Sequence, residues 1–365
     1  MRLDFSQKQN RLAQALEARL GSYVDLTVSN PTAVGLPIGS AQLPAAASYD
    51  PQPRGLLEAR EAVAQVHNVE ADRIVLAAST SEAYSWLFKL LCDPGDEVLV
   101  PQPCYPLFDY LTALESVKAV PYALRYDGEW HLDPSLLKVS KRTKAVLIVS
   151  PGNPTGSYLK RGEYSELARL CGPRGIALIS DEVFAEFPTG ADPRRVHSLA
   201  ALDAVDAFAL SGLSKLAGLP QLKLGWIAAS GPRWRESVAR LELIADTYLS
   251  VSTPVQLAAP GLIAGRQVFQ RALKTRLANN RALLQAARPR DASWDVLHSE
   301  GGWSAVLRVP QARPEEDLAL ELLEAGVLVH PGYFFDFPSG AHLVISLLVA
   351  PSDLARGLAI LRSVL

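Results

Sequence analysis

The sequence predicts an α/β fold: a large domain whose mostly parallel sheet is sandwiched by helices, followed by a smaller α+β domain. Three observations predict it. Short apolar, β-branched runs alternate with helical stretches from about Glu70 onward, the pattern changes to a long helical stretch after Pro254, and 365 residues exceed one ordinary compact core.

The runs are Arg73-Ile74-Val75-Leu76, Glu97-Val98-Leu99-Val100, Ala145-Val146-Leu147-Ile148-Val149 and Ile176-Ala177-Leu178-Ile179. Each is short and apolar on both faces, as strands covered on two sides are. Helical stretches near 80–92, 105–115 and 160–171 are long enough to cross over a sheet. After Pro254 follow a helical stretch over roughly 255–290, strands near 303–308 and 342–348, and a terminal helix from Ser352. We expect three parts: an N-terminal segment, 1–45, that joins the small domain; a large domain, 46–262; and a C-terminal small domain, 263–365. An amphipathic helix is expected around 7–20.

Composition narrows the function. Apolar residues make up 48% of the chain and charged residues 20%, with no long uncharged apolar run, so no membrane span is expected. Lys and Arg number 36 against 38 Asp and Glu, a net charge of −2, so no basic excess exists to grip nucleic acid. Cys92, Cys104 and Cys171 are far apart and lack CxxC spacing, which argues against a zinc site or a disulfide framework. With no apolar signal segment after Met1, a cytoplasmic location is expected.

Four loops that follow strands carry the polar residues. Ser79-Thr80-Ser81-Glu82 opens a helix, where free backbone N–H groups and the helix dipole attract an anion such as phosphate. The same residues also make an ordinary helix cap. Ser150-Pro151-Gly152-Asn153-Pro154-Thr155-Gly156 reads as a tight turn. Ser180-Asp181-Glu182-Val183-Phe184 puts a carboxylate at the end of a buried strand, where it needs a cation or several donors. Ser211-Gly212-Leu213-Ser214-Lys215 continues to Lys223-Leu224-Gly225-Trp226, with two lysines eight residues apart between strands. Neither GxGxxG nor GxxxxGK[ST] follows a strand, so nucleotide binding is not supported.

In this order the four loops resemble the class I/II aminotransferases, the fold-type-I pyridoxal-phosphate enzymes of the aspartate aminotransferase superfamily, over about residue 25 to the C-terminus. The resemblance implies pyridoxal 5′-phosphate in a Schiff base on Lys215, with Lys215 later moving a proton as a free amine. It implies Asp181 facing the pyridine nitrogen, Asn153 donating to the phenolic oxygen, and Tyr105 stacking on the ring. Thr80, Ser81, Ser214 and the cation Lys223 match the phosphate cup. Tyr49 matches the tyrosine that reaches the neighbouring subunit's phosphate, which implies a homodimer. The Asn30-Pro31 turn resembles the strip lining the substrate side.

Three positions depart from the family pattern. Lys223 stands where arginine is usual, a point charge in place of a planar fork. Phe184 stands where a tyrosine often donates to the phenolic oxygen. Val344, in His342-Leu343-Val344-Ile345-Ser346, stands where an arginine holds the substrate's α-carboxylate as a bidentate pair. Either another cation, Arg54, Arg308 or His342, takes over, or the amine presents no carboxylate there.

The implied reaction is ping-pong transamination between an amino acid or amine donor and a keto acid or carbonyl acceptor. A lyase, decarboxylase or racemase on the same cofactor is the alternative that Val344 raises, and a cofactor-binding protein without turnover is a third, which Lys215, Asp181 and Asn153 oppose. Phe184 leaves the phenolate one hydrogen bond short, so the Schiff base holds its proton to higher pH. Phe184→Tyr should therefore lower the apparent pKa of the Schiff base by about one pH unit in a spectrophotometric titration. An unchanged or higher value contradicts this.

Overall fold

Alternate residues of the strand Thr143–Val149 belong to two different cores. Ala145 and Leu147 pack with Trp86, Leu87 and Phe88 on one face; Val146 and Ile148 pack with Leu167 and Leu178 on the other. This double burial explains the continuous apolar run in the sequence. A computed structural model describes residues 9–39, 43–45 and 48–365.

The strand lies near the middle of a seven-stranded sheet in the order Ile74–Ala77, Gly225–Ser230, Ala207–Gly212, Ala177–Asp181, Thr143–Val149, Glu97–Gln102, Lys118–Ala123. All neighbours are parallel except Gly225–Ser230, which runs antiparallel to both of its partners. Helices Thr80–Leu91, Arg161–Cys171 and Trp234–Asp246 cover the faces through their apolar sides. The helix Thr80–Leu91 starts where Ser79 accepts the Glu82 amide at 3.2 Å, an ordinary side-chain cap.

A second sheet is wholly antiparallel, in the order Asp295–Val296, Ser304–Val309, Ala341–Ser346, His330–Pro331. The helices Gln267–Ala287, Glu315–Ala325 and Pro351–Val364 bury Leu273, Leu277, Leu322 and Leu358 in the core that this sheet shares. Near the N-terminus, Val24–Asp25 pairs in parallel with Val327–Leu328, and Leu26 is fully buried in the same core. Gly357 lets that leucine approach, since a Cβ there would lie 2.7 Å from Leu26 Cδ1.

The structure departs from the sequence expectation in three places. The helical stretch expected over 255–290 is two helices, Thr253–Gly265 and Gln267–Ala287, interrupted at Arg266 just after the weak helix former Gly265. The N-terminal helix is shorter, Arg11–Ala18, capped by Asn10 on the Ala13 amide at 2.8 Å; residues 7 and 8 lie outside the described part. The edge strand Lys118–Ala123 and the small pair Arg125–Tyr126 with Trp130–His131 have too little apolar alternation to stand out in the sequence. No helix among the described residues is long and apolar enough to cross a membrane.

Candidate active site

The strand Ala177–Asp181 ends on its carboxylate at the carboxyl edge of the parallel sheet, where an open α/β sheet places its loops and ligands. Tyr84 donates its hydroxyl to Asp181 Oδ2 at 2.9 Å, and the Val183 amide donates to Oδ1 at 3.1 Å. Burial pushes the carboxyl pKa up, while the Val183 amide, the Tyr84 hydroxyl and the Lys215 charge oppose that rise. Tyr84 stands four residues after Thr80 on the same helix, so the helix that begins at the candidate phosphate cup also carries Asp181's donor.

Lys215 follows the neighbouring strand, Ala207–Gly212, in the short helix Leu213–Leu216. Its Nζ donates to the Ser29 carbonyl at 3.3 Å, and lies 5.2 Å from the Trp303 ring and 5.8 Å from the Phe184 ring. Those two rings meet edge to face at 5.1 Å. Burial lowers the amine's pKa, and Asp181 acts in the opposite sense. An amine so placed gives up its proton more readily than a surface lysine, as a nucleophile or proton carrier must. Ser214 sits on the same turn, half-buried.

Two strands deliver the residues around the helix start at 79–81. Gly225 lies so close that a Cβ would be 2.8 Å from the Ser79 carbonyl carbon and 3.0 Å from the Thr80 nitrogen. Thr80 and Ser81 are half-buried there, at a helix end suited to phosphate. Lys223 is exposed, in the left-handed region at φ 53°, and has no ion pair among the described residues. Asn153 is half-buried between Gly152 and Pro154, whose neighbours Pro151 and Pro154 follow cis peptide bonds. Tyr105 is half-exposed, its loop tied down by Cys104 donating to the Phe335 carbonyl at 2.8 Å. Tyr49 is 69% exposed.

The structure thus brings Asp181 and Lys215 near enough for their charges to act on each other, and adds Tyr84, Trp303 and Ser29, which the sequence does not single out. Tyr84 looked like ordinary helix core; only its spacing from Thr80 carried a signal. Trp303 follows Gly301-Gly302 and leads into the strand Ser304–Val309, so it reads as a core tryptophan at a strand start.

Val344 is buried, paired across strands with Val306 and His330, and packed with Trp130, Leu297 and Phe335. Each cation considered as a stand-in for its missing arginine is engaged elsewhere. Arg54 pairs with Glu242 at 3.3 Å and Asp72 at 3.7 Å, and Arg308 pairs with Asp295 at 3.5 Å on the surface. The His342 ring stacks on Phe337 at 4.2 Å, and burial, helped by Arg308, pushes its pKa down to about 4, so it is uncharged at neutral pH.

Residues 44–359 match the family described as aminotransferase class I and II. The alanine aminotransferase of Mycobacterium bovis is 29% identical across 95% of this chain and 86% of its own length. The glutamate-pyruvate aminotransferase AlaA of Escherichia coli is 26% identical across 95% of this chain and 91% of its own. Among solved structures, Pyrococcus furiosus alanine aminotransferase has a TM-score of 0.85 at 22% identity, covering 96% of this chain and 94% of its own. A double mutant of Thermus thermophilus aspartate aminotransferase gives 0.84 at 22% identity, covering 99% and 98%. The fold is aspartate-aminotransferase-like.

Next to Asp181, Glu182 turns to the opposite side of the strand and is buried, accepting the Leu199 amide at 2.9 Å. Burial pushes its pKa from 4.5 up to about 7. Folded protein therefore binds this proton more tightly than unfolded chain does, so stability is lost as pH rises through that window, by on the order of 3 kcal/mol. Glu182→Gln keeps an acceptor for Leu199 and removes the titration. Urea unfolding at about pH 5 and about pH 8 should show the wild type losing stability relative to this variant at the higher pH. Parallel pH profiles would contradict it.

Proposed function

The chain belongs to the class I and II aminotransferase family, which uses pyridoxal 5′-phosphate, and on that premise we propose that this aminotransferase holds the cofactor on Lys215. The observation that carries the assignment is the half-buried Lys215 amine near Asp181 at the carboxyl edge of one sheet, against the faces of Phe184 and Trp303. When bound, the cofactor supplies an electron sink for charge left on the substrate carbon.

The residues fit that group. Asp181 would face the pyridine nitrogen and hold a proton on it, and Tyr84 favours the charged form of Asp181 that this requires. The helix start at Thr80 and Ser81, with Ser214 and the exposed Lys223, offers N–H groups, hydroxyls and a cation to a phosphate. Asn153 would donate to the phenolic oxygen and Tyr105 would stack on the ring. Phe184 cannot donate; its ring lies 5.8 Å from the Lys215 amine and meets the Trp303 ring edge to face. Lys215, once free, would carry the proton between the substrate carbon and the cofactor.

We further propose exchange of nitrogen between an amino acid and a keto acid, following relatives named for alanine and for glutamate and pyruvate. Those relatives give no support to a lyase, decarboxylase or racemase. A homodimer in which Tyr49 reaches the neighbouring phosphate is proposed too; the exposure of Tyr49 is consistent with that reach. The division into 1–45, 46–262 and 263–365 and a cytoplasmic location belong to the same proposal.

Adding amine donors one at a time to purified protein should bleach its visible cofactor band for the true donor, with release of one keto acid or aldehyde per site. Bleaching without that product would overturn transamination. Lys215→Ala should lose the covalent band and reduce turnover by at least about a thousandfold; surviving turnover would overturn the assignment of Lys215.

A further inference from the structure

Three loops interlock between the two sheets, and one carboxylate joins them. Glu300 is 2% exposed. Its Oε2 accepts from Lys160 Nζ and from the Tyr158 amide at 3.3 Å, and its Oε1 accepts from Arg195 Nε at 3.1 Å. Lys160 is buried as well, and the Arg195 guanidinium lies 4.8 Å over the Tyr158 ring. Buried charges at a loop are costly unless they are paired, and here one carboxylate serves two cations.

The backbone of the same loop is gripped on both sides. Thr189 donates its amide to the Glu300 carbonyl at 2.8 Å and its hydroxyl at 3.0 Å. Gly302 donates to the Phe187 carbonyl at 3.1 Å and accepts from Arg281 Nη2 at 2.8 Å. At Gly301 a Cβ would sit 2.7 Å from the Phe187 carbonyl, and at Gly156, in the Asn153 loop, it would strike Ser299. The residue that follows is Trp303. Its own surroundings, Phe184, Phe187 and Phe269, are apolar rings at 5.1, 5.3 and 6.4 Å, whose contacts are weakly directional. Direction comes from the polar anchors one to three residues earlier.

We propose that Glu300, clamped between Lys160 and Arg195, is a positioning residue that fixes the 299–302 loop and so holds the Trp303 indole over the Lys215 amine. The proposal rests on Lys215 as the active amine. It ties a charge cluster on the far side of the loop to the ring that lies 5.2 Å from that amine. Partial burial is what lowers the Lys215 pKa, with Asp181 opposing, and the Trp303 and Phe184 rings lie 5.2 and 5.8 Å from the amine on that covered side.

The test uses cofactor-free protein, so its readouts stand whether or not Lys215 carries the cofactor. Competitive acetylation across pH, read by peptide mass spectrometry, gives the midpoint at which the Lys215 amine becomes reactive; hydrogen exchange reports on 298–303. Glu300→Gln should raise exchange in that loop and move the Lys215 midpoint up by about one pH unit as water reaches the amine. Lys160→Met/Glu300→Gln keeps the cluster's net charge and should show the same move, which carries the test if the single variant folds poorly. Glu300→Asp, retaining the charge, should return the midpoint toward wild type. A Lys215 midpoint that stays at the wild-type value in the folded Gln variants, whatever the loop's exchange, overturns the proposal.

Discussion

Asp181 cannot be buried alone. A carboxylate at the end of a strand covered on both faces is stable only because Tyr84, the Val183 amide and the nearby Lys215 amine each favour its charge. Each of these comes from a different neighbour in the fold: the helix Thr80–Leu91, the loop after the strand itself, and the turn after the adjacent strand. The parallel order of the central strands brings those ends to one edge. Lys215 depends on Asp181 in return, since its amine is half-buried and Asp181 is the carboxylate that favours its charge.

The second sheet completes the site. Its strand Ser304–Val309 begins beside Trp303, whose ring faces Lys215, and the loop before it is pinned to the large sheet by Glu300, Thr189 and Phe187. The N-terminal stretch supplies the Ser29 carbonyl, and pairs at Val24–Asp25 with the C-terminal part. The amine is therefore bounded by three separated stretches of chain, and packing between the sheets bears on its chemistry. Val344 sits in a separate apolar cluster of the same second sheet, with Trp130, Leu297, Val306 and Phe335, so its strand position carries bulk in place of charge.

Much of this was legible because strong physical constraints leave strong sequence marks. Strands buried on both faces read as unbroken apolar runs, and Asp181 and Lys215 stood out as charges at the ends of such runs. Tyr84 did not, because a tyrosine within an amphipathic helix has the pattern of core whether or not its hydroxyl has a task. Glu300 gained its role from contacts across more than a hundred residues, with Lys160 and Arg195, and Trp303 from its ring's approach to Lys215, and periodicity registers neither. Arg54, Arg308 and His342 were nominated by charge alone; their partners Glu242, Asp72, Asp295 and Phe337 appear only in the fold.

The central claim is that one particular amine carries the cofactor. Reducing the coloured holoenzyme with borohydride, followed by digestion and mass mapping, locates that amine without relying on turnover. The account requires the added mass on the peptide containing Lys215 and on no other lysine. Label on Lys223 or elsewhere, or none after the band has bleached, would contradict it.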